Sequence, residues 1–190
     1  MVPRVSRIIC TTIFLIAILA FSAGAAEFSA DMTINSATGG EMTGKVFVKG
    51  NALRQQFDTP MGPQVTIIEP GAAFMYVLLP GQKMYMEVPN SQVTLDEGED
   101  MEAKFSAQGT VTNKGSETIE GYKCEVYHIV YNDPNMGEAT VWVSRDLNYP
   151  LKIHTKNPQD TATFIYTNVV EEQLDKGLFS LPKGYVKFSM

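Results

Sequence analysis

The chain has 190 residues, 21 of them acidic against 15 Lys and Arg for a formal net charge of −6, and 44% of its side chains are hydrophobic. An acidic chain without a Lys/Arg cluster lacks the electrostatic footprint of a nucleic-acid binder. Only Cys124 lies outside the first 26 residues, so no internal disulfide staples the fold and stability must come from packing.

In chain order, the first element is a leader. Arg4 and Arg7 precede an apolar run from Ile8 to Phe21, and the small residues Ala23-Gly24-Ala25-Ala26 follow. That order is the signature of a secretory signal peptide, and the run is shorter than the ~20 residues a spanning helix needs. Cleavage is expected after Ala26. Cys10 sits inside the run with no small-residue lipobox before it, so lipidation there is not expected. The reading is residues 1–26 as signal peptide and 27–190 as one soluble, exported, periplasmic domain.

From Glu27 onward the pattern is period-2, rich in Val, Ile, Thr, Tyr and Phe and punctuated by Gly, Pro, Asn and Asp, which predicts an all-β chain. "EFSADMTI" places Phe28, Ala30, Met32 and Ile34 on one face. "GKVFVKG" and "NALRQQF" form a hairpin across Gly50-Asn51, a pair suited to the left-handed positions of a tight turn. "PQVTIIEP", "FMYVLLP" and "KMYMEV" follow. Residues Pro89 to Gln108 are polar and acidic, and Met101 and Phe105, four apart, predict a short helix there. Strand patterning returns in "TVTNKGSETI", "YKCEVYHIVY", "ATVWVS", "LKIHTK" and "TATFIYTNVV", and "LFSLPKGYVKF" closes the chain.

"FMYVLLPGQKMYMEV" (Phe74 to Val88) carries the most information. Pairing its halves across Pro80-Gly81 puts Met75, Val77 and Leu79 on one face with Met84, Met86 and Val88. That face is wholly apolar. The other collects Phe74, Tyr76, Leu78 and Tyr85 with Lys83 and Glu87, an amphipathic surface suited to solvent or a lid. Methionine, flexible and polarisable, suits a wall that meets guests of varied shape, and it equally suits ordinary core.

Five signatures in order, "GKVFVKGNALRQQF", "FMYVLLPGQKMYMEV", "ETIEGYKCEVYHI", "TVWVSRDLNYPLKI" and "LFSLPKGYVKF", resemble a family of exported bacterial proteins. That family is related to the outer-membrane lipoprotein-sorting carriers of the LolA and LolB type and to the sensor domains similar to them. The resemblance runs from about Phe28 to Phe188. It implies a half-open antiparallel β-barrel of about nine to eleven strands, apolar on its concave side and covered by a short helical or loop lid. It also implies a guest in that hollow, a lipid or lipoprotein acyl chain, carried by a monomer that touches a membrane transiently. The lid region here, Pro89 to Gln108, is shorter and more acidic than a carrier's.

On this reading the ligand-binding residues are Met75, Val77, Leu79, Met84, Met86, Val88 and Trp142, and no enzyme activity, metal or cofactor is expected. Two other readings stand beside it. The same fold could serve as an envelope sensor or interaction module with another envelope protein, through its acidic lid and exposed Tyr76 and Tyr85. Met84 and Met86, with Met75 opposite, could hold Cu(I), which favours thioethers. Cys124, His128 and Tyr122 share one strand face, yet Cys124 lies between Tyr122 and Val126, the setting of an inert buried thiol rather than a nucleophile. The run Asp96 to Glu102 lacks the oxygen spacing of an EF-hand and reads as solvated loop. Trp142, between Val141 and Val143, faces either the hollow or the outside. No G-x-S-x-G, H-E-x-x-H or phosphate-loop pattern is present.

Overall fold

The computed structural model describes residues 27–59, 62–69, 71–89 and 101–188. The leader, its cleavage point and all of the acidic lid stretch between residues 90 and 100 lie outside the described residues.

Twelve strands follow one another with a single short α-helix among the described residues: β1 (Glu27–Ser36), β2 (Gly40–Lys49), β3 (Ala52–Thr59), β4 (Gly62–Ile68), β5 (Phe74–Leu79), β6 (Met84–Pro89), α1 (Met101–Ser106), β7 (Gly109–Ile119), β8 (Tyr122–Tyr131), β9 (Glu138–Ser144), β10 (Tyr149–Lys156), β11 (Thr161–Glu171) and β12 (Val186–Lys187). They form one open sheet in the order β12-β6-β5-β4-β3-β2-β1-β11-β10-β9-β8-β7. Its two edge strands do not pair with each other. Neighbours are antiparallel except β12, whose two residues lie parallel to β6. The mainly β, half-open architecture implied by the sequence is therefore present, and the strand beyond the expected nine to eleven is this two-residue β12.

Period-2 alternation explains the strands. Along β1, Phe28, Ala30, Met32 and Ile34 are buried while the residues between them are partly open. Turn chemistry explains the connections: Gly50 has φ +55° between β2 and β3, and Glu120-Gly121 (φ +51° and +84°) turns β7 into β8 with the paired left-handed residues of a tight hairpin. Gly44 has a different reason. A Cβ there would lie 2.1 Å from the Gln56 carbonyl oxygen on β3, so only glycine lets the two strands close at this point.

The face bearing Phe28 and its neighbours is the inner one. One apolar cluster on it joins Met75 of β5, Ile68 of β4, Leu53 of β3, the β1 residues, Tyr166 of β11, Val141 of β9 and Ile129 of β8. A flat sheet of twelve strands would be about 50 Å wide; a single continuous cluster across most of it requires the sheet to curl around this face. The β7–β8 turn reports the same curl, for the Glu120 carboxylate accepts a 2.8 Å hydrogen bond from the Asn168 backbone N–H of β11, three strands away in the sheet. Helix α1 closes over the β8 side, where Phe105 packs against Tyr127 with ring centroids 5.8 Å apart.

The opposite, outer face of β2 to β6 is covered by the C-terminal segment. Leu174, Leu178 and Phe179 pack on Phe47 and Ala52. Arg54 of β3 donates a 3.0 Å hydrogen bond to the Leu178 carbonyl, and Leu181 and Tyr185 cover Val65, Ile67 and Leu78. Most of "LFSLPKGYVKF" is thus a strap rather than a strand.

Candidate apolar ligand wall

Strands β5 and β6 are joined by a short 3₁₀ turn (Pro80–Gln82), with Lys83 at φ +51° completing the reversal. The pairing is Met75 with Val88, Val77 with Met86 and Leu79 with Met84, so all six residues stand on one face. Register carries that face across the sheet: Met86 and Val77 align with Thr66, Gln55, Val46 and Ala30 in one row. The row ends at β1 on the inner face. The six residues therefore extend the wall of the main core toward the β6 edge.

They do not all take part in that core. Met75 belongs to the main cluster and Val88 packs against it. Val77 is fully buried, and Leu79, Met84 and Met86 are half-buried. None of these last four joins any of the three apolar clusters formed by the described residues. The wall thus joins the main core at its Met75/Val88 end, and its half-buried part is Leu79, Met84 and Met86.

Behind the wall, the strap covers part of the outer face. Tyr76 and Tyr85 meet edge to face at 5.8 Å and lie under Leu181 and Tyr185. This corrects the expectation that both tyrosines are exposed, because the strap takes up the surface they would have offered. The β6 edge is covered by β12, with Lys187 paired to Glu87 at 2.5 Å.

Trp142 is not part of the wall. It pairs with Lys152 and Val126 on the face opposite Val141 and Val143, on the other wing of the sheet. Its indole N–H donates to the Glu117 carboxylate, and the Lys152 ammonium lies 4.3 Å from its ring centroid. Charged partners on both sides hold the ring against the flank of the core, so it is a cation–π platform and not a lining residue.

Cys124 is buried, and burial pushes its thiol up to about 11, which leaves it protonated and unreactive. His128 shares a 3.3 Å hydrogen bond between Nδ1 and the Thr140 hydroxyl, with Nε2 3.7 Å from Glu138. Among the described residues no group of three His, Cys, Asp or Glu is placed to hold a metal. Of the thioethers, Met75 pairs with Val88 rather than with Met84 or Met86, so the three sulfurs share a face without being cross-strand partners.

Two wall residues escape the sequence reading. Gln55 (2% exposed) and Thr66 (5%) are cross-strand partners in the middle of the row. The signal was available: Gln55 alternates with Leu53 and Phe57, both core, so it must point inward with them.

Comparison with known proteins places this geometry. The family described as "Domain of unknown function (DUF4412)" matches residues 28–149, well over half of the chain. The chain belongs to this family. Comparison with curated proteins finds no match. Among solved structures, this DUF4412 protein is similar to an uncharacterized conserved protein from Thermus thermophilus, with 11% identity, 94% of this chain and 98% of that one covered, and a TM-score of 0.58. It is also similar to a chain of the Pseudomonas aeruginosa MucA/MucB complex, with 13% identity over 81% of this chain and a TM-score of 0.51, spanning only 55% of that chain's length. The LolA superfamily protein NE2245 from Nitrosomonas europaea matches over 89% of this chain and 96% of that one at 12% identity, with a TM-score of 0.41. At these identities the likenesses show a fold.

Proposed function

We propose that the protein is an exported, non-enzymatic binder or carrier of an apolar ligand, a lipid or lipoprotein acyl chain, held against Met75, Val77, Leu79, Met84, Met86 and Val88. One observation carries this reading. Three of these six residues, Leu79, Met84 and Met86, are only half-buried on the inner face of an open, curled sheet, outside every apolar cluster of the described residues, while the chain's own strap packs on the face behind them. An apolar wall backed by the strap, with three half-buried side chains toward its β6 edge, suits a guest. Each buried CH₂ of such a guest contributes about 0.8 kcal/mol, so an acyl chain laid along two strands supplies ample affinity. Export follows from the leader at residues 1–26, and residues 27–190 act as one domain.

The test is uptake of a fluorescent fatty acid by the wild type and by the double variant Met84→Glu, Met86→Glu. Two carboxylates on the wall should abolish uptake while the circular dichroism stays β-like. Undiminished uptake by a folded double variant would remove the reading.

A second reading draws on the MucA/MucB likeness, in which a chain of this fold is solved with a protein partner. As an interaction module the protein would return a stoichiometric partner and no lipid when captured from periplasm. The strap over Tyr76 and Tyr85 makes that face a poor docking surface, which favours the apolar ligand.

A further inference from the structure

The apolar wall contains one misfit. Gln55 lies in the row that runs from Met86 and Val77 through Thr66 to Val46 and Ala30, and every other side chain in that row except Thr66 is apolar. Only 2% of Gln55 is exposed, and its side-chain carbonyl oxygen, Oε1, is buried with no hydrogen-bond partner. Buried polar atoms in folded proteins are paired almost without exception, and one that is not calls for a specific cause. Packing supplies none, since a leucine would fill the same space without an unpaired oxygen. A guest supplies one.

Resting on the reading of this face as a ligand wall, we infer that Gln55 is a hydrogen-bonding anchor within it, so that the guest is an apolar chain bearing a hydroxyl or amide N–H. The unpaired atom is an acceptor, which sets the chemistry: its partner must donate. An ether, an ester or a bare hydrocarbon offers no donor. An ionised carboxylate offers only acceptors, and its charge would be buried. A hydroxyl or an amide N–H would supply that donor, with the chain laid along the half-buried Met84 and Met86. Thr66, its cross-strand partner, is the other polar side chain of the row.

The test compares 1-dodecanol with dodecyl methyl ether, in which a methyl group replaces the donor hydrogen, by displacement of a fluorescent fatty acid from the wild type and from Gln55→Leu. A site whose buried acceptor is left unpaired by the wrong ligand discriminates against it. The wild type should bind the alcohol about tenfold more tightly than the ether. Gln55→Leu should bring the two within about twofold of each other while keeping the ether's affinity. Equal affinities in the wild type, or an unchanged preference in the variant, would overturn the anchor and leave the wall standing. If the wild type bound neither compound nor the fluorescent fatty acid, the wall itself would fall and the anchor with it. The wild-type ratio decides the question even if the variant does not fold.

Discussion

The Tyr122 phenol donates a 2.9 Å hydrogen bond to the Glu171 carboxylate, although β9 and β10 lie between their strands in the sheet. In a flat sheet those strands would be about 14 Å apart. The bond is therefore a measure of how tightly this wing curls, and the curl is what wraps the sheet around the core on its inner face. Burial and then the neighbouring Glu171 push the Tyr122 phenol up, so it stays a donor at neutral pH. Tyr122→Phe should cost about 1 kcal/mol, the ordinary net worth of one such bond, seen as a lower urea midpoint with an unchanged slope.

Phe105 helps to seat helix α1 on the sheet. Phe105 is buried against Tyr127 and belongs to the main core. Phe105→Ala should destabilise by about 3 kcal/mol, as large-to-small changes at buried aromatics do. Chemical denaturation measures the loss, and a change under about 1 kcal/mol would mean the helix is not held by this contact.

Acid should weaken the fold for a stated reason. Glu27 is held below its ordinary value by the Lys49 ammonium and then by the Leu174 backbone N–H, and Glu125 by the Tyr127 hydroxyl and then Arg145. A carboxyl whose folded value is depressed contributes stability above its unfolded value, and that contribution is lost as pH falls through the folded value. Thermal stability should therefore decline below pH 4.5, the ordinary glutamate value, and Glu27→Gln should flatten the decline. At the other extreme, burial holds the Tyr166 phenol up at about 12 and Tyr149 well above 10. The Tyr166 contribution is complete below pH 10 and is lost between 10 and about 12 as the unfolded chain ionises, and that of Tyr149 is likewise lost above pH 10.

Gln55 gives a stability prediction of its own. Removing a buried oxygen that has no partner should stabilise the empty protein, so Gln55→Leu should raise stability by about 1 kcal/mol in the absence of ligand. A fall of that size would mean the amide serves the fold and not a guest.

Much of this was legible before the fold was known, where one strand or hairpin carries its own geometry. The β1 face of Phe28, Ala30, Met32 and Ile34 and the shared face of Met75 through Val88 follow from residue parity alone. What failed was parity relative to something distant. Trp142 alternates with Val141 and Val143, and only the pairing with Lys152 and Val126 decides which side is inward. The exposed Tyr76 and Tyr85 failed for the same reason, since the strap that covers them comes from about a hundred residues further on. A hint existed: Val65, Ile67 and Ile68, on both faces of β4, are all buried. A strand apolar on both faces needs cover on both, and the irregular spacing of Leu178, Phe179, Leu181 and Tyr185 marks the segment that provides it.

The most direct test is native mass spectrometry of the protein purified from its native host without detergent. The wall predicts a co-purifying apolar molecule, released on denaturation and lost in the Met84→Glu, Met86→Glu variant. A bare polypeptide mass from the wild type, together with no uptake of added acyl chains, would contradict it.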